Sequence, residues 1–284
     1  MMRPPSSLMA RSGGEAGTML YRENTDGTIG FTQPAHAWMS GQLARVWGNA
    51  IFGTFTPRDE LCLAAGQHDV GMAAWETAPT LNPRTGRAYS FLELPEPLHS
   101  QIFADGARIL ATQNRYAALL TSRHFTRLAG RHDFAHDPPA TVQALTEYLA
   151  TESAWQERLL ADLRDDPHYA DHVAPELLDR NSRLLAAWDW LSLLLLMGVR
   201  GPATVPDVPT ATGATTLTLI PDPADPTLLA VTPWPLATAT ATLRCEGRLL
   251  GSGYADDAAL RAAMSNAPWT TLQLTLRPAE PGAA

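Results

Sequence analysis

Ala186-Ala187-Trp188-Asp189-Trp190-Leu191-Ser192-Leu193-Leu194-Leu195-Leu196-Met197-Gly198-Val199 is the longest apolar stretch of the chain, and its reading decides the fold. It is shorter than the roughly 20 residues a bilayer span needs, and it carries Asp189 inside it, so it reads as a core helix rather than a membrane segment. It closes a helical tract. From Pro34 to about Val199 apolar residues recur at helical spacing, whereas from Thr215 to Arg277 they alternate at period two between Pro and Gly turns. Gly201 to Ala214, rich in Pro and Thr, marks the join. The expected fold class is α+β: a disordered leader over 1–18, an all-helical bundle over 19–200, a linker over 201–214, and a small antiparallel β subdomain with one helix over 215–284.

With 284 residues, 45% hydrophobic and 18% charged, the chain supports one large or two ordinary domains, and disorder as the main state is excluded. The 21 basic residues are all Arg and face 29 acidic ones, so the net charge of −8 leaves no broad footprint for nucleic acid. Without lysine there is no Schiff-base or P-loop chemistry. Cys62 and Cys245 stand far apart, giving neither a zinc-ribbon spacing nor a disulfide framework. Met1 to Thr18 lacks a continuous apolar h-region, and Met9 and Met19 both read as starts. A cytoplasmic protein that engages neither membrane nor nucleic acid is expected.

The first helix begins near Pro34 and sets His36, Ser40, Leu43 and Trp47 on one stripe. The second opens at Thr56-Pro57-Arg58-Asp59 and runs through Leu61, Ala64 and Ala65 to His68-Asp69, stopping at Gly71. A third from about Pro97 carries His99, Ile102, Phe103, Gly106 and Leu110. A fourth from about Tyr116 carries Leu120, His124 and Leu128. Two longer helices follow, Thr141 to Leu163 and Pro175 to Met197.

Four helices thus turn a His toward the apolar side, and a fifth buries Asp189. An unpaired buried carboxylate costs several kcal/mol and demands a cation or a set of donors. A divalent metal answers both demands, because neutral imidazole and carboxylate are its normal ligands. The dipeptide His68-Asp69 can face one centre only at a helix terminus, since adjacent helical residues point about 100 degrees apart.

His36, His68-Asp69 and Asp189, in that order, resemble the signature of the HD-domain superfamily of metal-dependent phosphohydrolases. The resemblance implies that these four bind a first metal. His99 and His124 fill the places where dinuclear members add two further ligands, which implies a bridging, catalytic Asp69 and two ions per chain, Fe or Mn favoured, with Zn or Mg also compatible. Gln33-Pro34-Ala35-His36, His68-Asp69-Val70-Gly71 and the Trp75 to Pro79 stretch also resemble a bacterial family of unknown function with an HD-like pattern. Some dinuclear members are diiron oxygenases with a substrate-binding Lys just after the His-Asp-x-Gly; here that position is Met72.

Met72 to Pro97 is long for a connection between bundle helices and reads as a lid over the site. Trp75, Arg84 and Arg87 in it, with Arg123, are the candidates for binding substrate, Arg because its planar fork grips phosphate or carboxylate. His132-Asp133, a second such dipeptide, abuts Pro138-Pro139, lacks apolar flanks and reads as an exposed loop. Three functions fit: a phosphohydrolase acting on a small phosphoester or nucleotide, a diiron oxygenase of a small hydroxylated or phosphonate substrate, and a non-catalytic sensor or interaction module. The edges of the C-terminal sheet allow a homodimer.

Overall fold

In the computed structural model the described residues are 19–280, apart from 26, 90–92, 95, 132–134, 136 and 252. The expected leader, 1–18, and the dipeptide His132-Asp133 lie outside them. The chain opens with an antiparallel hairpin, β1 (Leu20–Asn24) and β2 (Gly27–Phe31), paired from Leu20 opposite Phe31 to Asn24 opposite Gly27. Helix α1 (Gln33–Val46) follows, with Thr32 as N-cap accepting from Ala35 N and Pro34 in its first turn. Then come α2 (Arg58–Gln67), α3 (Met72–Thr77), the short strands β3 (Leu81–Asn82) and β4 (Arg87–Ala88), α4 (Leu98–Ala111), α5 (Arg115–Ala129), α6 (Pro139–Arg164) and α7 (Pro175–Met197). The last part holds β5 (Ala203–Pro209), β6 (Ala214–Pro221), β7 (Leu228–Thr232), β8 (Ala241–Leu250), α8 (Asp257–Asn266) and β9 (Trp269–Pro278).

Apart from α3, which lies in the stretch read as a lid, the helices fall near the positions that periodicity and capping residues assign. The architecture does not match the expected bundle with a small appended sheet. One curled seven-stranded sheet, ordered β1-β2-β8-β9-β7-β6-β5, draws strands from both ends of the chain. Nor is it wholly antiparallel, since β7 and β9 run parallel. The correction has a physical origin in two places. Thr28 to Gly30 pairs with Arg248 to Leu250, so the N-terminal hairpin completes the sheet beside β8. The stretch read as a linker supplies β5, which tolerates Pro206 and Pro209 because it is an edge strand. The all-helical architecture implied by the HD-domain resemblance is therefore overturned.

Helices and sheet share one core. Alternate residues of β8, Ala241, Leu243 and Cys245, are buried while Arg244 and Glu246 face out, as period two requires. They belong to the same apolar cluster as Phe31, Leu43, Phe52, Trp188 and Leu195. Arg22 Nη1 donates to the Leu195 carbonyl (2.9 Å), and Asn49 Nδ2 donates to the carbonyls of Trp234 (2.8 Å) and Leu236 (3.3 Å), tying sheet to helices. Among the described residues no helix is long and apolar enough to cross a membrane.

Two glycine contacts bring the helices that carry the candidate ligands together. A Cβ on Gly41 of α1 would lie 2.8 Å from Gly66 Cα of α2, so those two helices touch backbone to backbone. Gly71 does not terminate the structure as expected; α3 starts at the next residue. Its role is close approach: a Cβ there would lie 2.2 Å from the Ile102 carbonyl oxygen and 2.9 Å from Gly106 Cα on α4.

Candidate metal centre

Four of the six sequence-predicted ligands meet at one point. His36 Nε2 lies 2.9 Å from Asp189 Oδ1, 3.3 Å from His68 Nε2 and 3.5 Å from Asp69 Oδ2. His68 Nε2 lies 3.3 Å from Asp69 Oδ2 and 3.4 Å from Asp189 Oδ1. His124 approaches from α5, with Nε2 3.4 Å from the other oxygen of Asp189. The imidazoles are fully enclosed, and only the carboxylates touch solvent, at 8% for Asp69 and 13% for Asp189.

Each side chain is held from behind. His68 follows the last residue of α2, and its Nδ1–H donates to the Ala65 carbonyl (3.0 Å), which can only accept. His68 Nε2, the ring nitrogen that remains, therefore faces two carboxylate oxygens and another imidazole. Ser192, one turn beyond Asp189, donates to the Asp189 carbonyl (2.8 Å) and lies 2.6 Å from His36 Nδ1. With the serine proton on that carbonyl, Nδ1–H of His36 is the donor in the short contact, and Nε2 is left to face Asp189 and His68. Ser40 Oγ, 2.9 Å from Ser192 Oγ, completes this polar seam between α1 and α7. The buried Glu76 of α3 accepts from Gln33 N through both oxygens (2.9 and 3.1 Å), anchoring the first turn of the helix that carries His36.

Burial lowers the affinity of His68 for a proton, but Asp69 and Asp189 outweigh it and set its pKa well above the usual histidine range. Burial likewise pushes Asp189 up, and the hydrogen bonds of His124, His36 and His68 hold it well below the usual carboxylate range. Both directions report the same demand, positive charge among these donors. A metal ion would satisfy it. Donors at about 2.0–2.2 Å from an ion, separated by octahedral or tetrahedral angles, lie about 2.9–3.5 Å from one another, and the four groups span that range. One ligand atom each of His36, His68 and Asp189 lies within 4.8 Å of the other two.

The remaining predicted residues are elsewhere. His99 Nδ1 faces Glu96 Oε1 at 3.5 Å, and its Nε2 is buried without a partner. Its ring packs on Phe103 (4.2 Å), which stacks on Phe125 (3.7 Å), and these rings separate it from His68 and His124. Arg84 is exposed and paired with Glu93 (2.5 Å), Arg87 lies over the Tyr21 ring (5.0 Å), and Trp75 packs against the Met72, Leu94 and Ile102 cluster. Arg123 lines a cavity between α5, α6 and α7. The expected lid is partly structured, holding α3 and the β3–β4 pair. Ser192 and Glu76 were not assigned to the site by sequence. A Ser at i+3 from an inward Asp in an otherwise leucine-rich run was the available signal for Ser192.

A model of the family described as protein of unknown function (DUF3891) matches residues 19–252. No curated protein and no solved structure matches the chain. With the sheet described above, this match replaces the HD-domain resemblance.

Proposed function

We propose that this chain, which belongs to the DUF3891 family, is a divalent-metal protein that hydrolyses a small phosphoester, with His36, His68, Asp69 and Asp189 holding the ion. One observation supports the reading: Nε2 of His36, Nε2 of His68 and one carboxylate oxygen each of Asp69 and Asp189 converge, 2.9–3.5 Å apart, in a buried cluster. Two nitrogens and two carboxylates suit Fe, Mn or Zn. When bound, such an ion supplies Lewis acidity and lowers the pKa of water at neutral pH.

The protein groups supply the rest. Ser192 and Ala65 fix the ring orientations of His36 and His68. Asp189 is shared between His36 on one oxygen and His124 on the other. His124, with Nε2 3.4 Å from Asp189 Oδ2, would serve in this reading as the acid that gives a leaving alkoxide its proton. The solvent-touching edges of Asp69 and Asp189 mark the side from which substrate arrives. The separation of His99 from the cluster favours one ion over two, and with it hydrolysis over diiron oxygen chemistry.

Elemental analysis of protein purified without oxygen or chelator, followed by a phosphoester screen, tests this. The expected result is about one equivalent of metal per chain, lost in His68→Ala and Asp69→Asn, and metal-dependent phosphate release. Two irons per chain with a mixed-valent paramagnetic signal would replace the reading with the oxygenase. No metal, even after divalent ions are added, would remove both.

A further inference from the structure

Outside the metal centre, a cavity of about 320 Å³ opens between α5, α6 and α7, lined by Arg123, Thr126, Arg127, Gln156, Asp179 and Ser182. Two groups in its wall are buried and unbonded: Arg123 Nε and the hydroxyl of Ser182. Ser182 is 3% exposed, and its hydroxyl has no protein partner. Thr126 and Gln156, by contrast, bond to each other (3.1 Å) and need nothing further.

The charge balance at this cavity is incomplete. Arg127 stands 3.9 Å from Asp179 Oδ1 and 3.8 Å from Asp207 Oδ2, beyond hydrogen-bond reach. Both carboxylates also serve Arg183, Asp207 at 2.7 Å and Asp179 at 3.7 Å. Three guanidinium groups thus meet two carboxylates, and Arg123 has no ion-pair partner among the described residues. A half-buried guanidinium with no ion-pair partner stands beside an unpaired buried hydroxyl, and the donors of Arg123 and Arg127 outnumber the one carboxylate, Asp179, in the lining.

We propose that this cavity binds an oxyanion, the phosphate or carboxylate group of a small ligand, held by Arg123 and Arg127 with Ser182 as neutral donor. The cavity is separate from the metal centre but near it. Ser182 and Asp189 share a face of α7 two turns apart, about 10 Å along the axis, and Arg123 adjoins His124 on α5. The assignment stands whether or not the cluster holds a metal.

The test is calorimetric titration of the full chain with inorganic phosphate and with acetate, each against chloride at matched ionic strength. Saturable binding of phosphate, acetate or both is expected, and the anion that binds identifies the ligand group. Arg123→Gln should weaken it tenfold or more and Ser182→Ala several-fold, while Asp69→Asn leaves it intact. Arg127→Gln serves if Arg123→Gln does not fold. Binding no stronger than chloride would overturn the proposal. So would loss in Asp69→Asn, which would place the anion at the metal centre instead.

Discussion

Replacing Ser192 by Ala removes one hydroxyl from the middle of α7 and tests whether the seam behind His36 governs the metal centre. Ser192 Oγ has three neighbours: His36 Nδ1 at 2.6 Å, the Asp189 carbonyl at 2.8 Å and Ser40 Oγ at 2.9 Å. Ser40 keeps the Trp188 carbonyl (3.3 Å), so the group stranded by the substitution is His36 Nδ1, in a ring with no exposed surface. A stranded buried donor costs about 1–3 kcal/mol. That loss appears as a lower denaturant midpoint of the metal-free protein with an unchanged slope. Metal affinity should fall about 10- to 100-fold, the usual effect of removing a group that orients a ligating imidazole. Competition with a chromogenic chelator measures it. Ser40→Ala, one bond further out, should change affinity less than Ser192→Ala. Unaltered metal affinity in a folded Ser192→Ala would refute the assignment of His36 as a ligand.

Three further outcomes follow from the geometry. His99→Ala should keep the full metal content by elemental analysis, because Phe103 and Phe125 stand between it and the cluster. Gly71→Ala should destabilise the fold by about 1–3 kcal/mol, since the added methyl would lie 2.2 Å from a backbone oxygen of α4; urea unfolding reads it. Burial pushes the Glu76 carboxyl well above the usual range, with Asp69 adding to the rise and Gln33 N opposing it. Its folded pKa exceeds its unfolded value of about 4.3, so its contribution is complete below that pH and is lost as pH climbs through the folded pKa. Glu76→Gln should therefore flatten the fall of melting temperature with rising pH and melt higher than the parent at neutral pH.

Much of the candidate site was readable because helical periodicity assigns a face. His36, His124 and Asp189 sit on apolar faces of helices and His68 directly follows one, prolines mark the first turns of α1 and α7, and the alternation between Thr215 and Arg277 covers strands β6 to β9. Periodicity says nothing of depth or neighbour. His99 shares an apolar face with Phe103 yet stays behind it, and Arg123, adjacent to His124, turns into a different cavity. Gly71 looked like a terminator because its type is common there; only the nearness of Gly106 on a distant helix reveals its function. The N-terminal hairpin was missed since Leu20 to Phe31 offers two short strands whose partner, β8, lies at the far end of the chain. β5 was hidden by prolines that only an edge strand accommodates.

The pairing of Thr28 with Leu250 also sets an order of events during synthesis. The hairpin leaves the ribosome before β8 and must wait, without that neighbour, until α1 to α7 have been made. Phe31 and Leu20, buried in the finished molecule, are exposed for that interval. Closing a contact between chain ends is slow relative to helix formation, and unpaired strand edges invite aggregation while they wait. The hairpin therefore depends on a strand made long after it for shelter, and synthesis halted before β8 leaves the β2 edge unpaired.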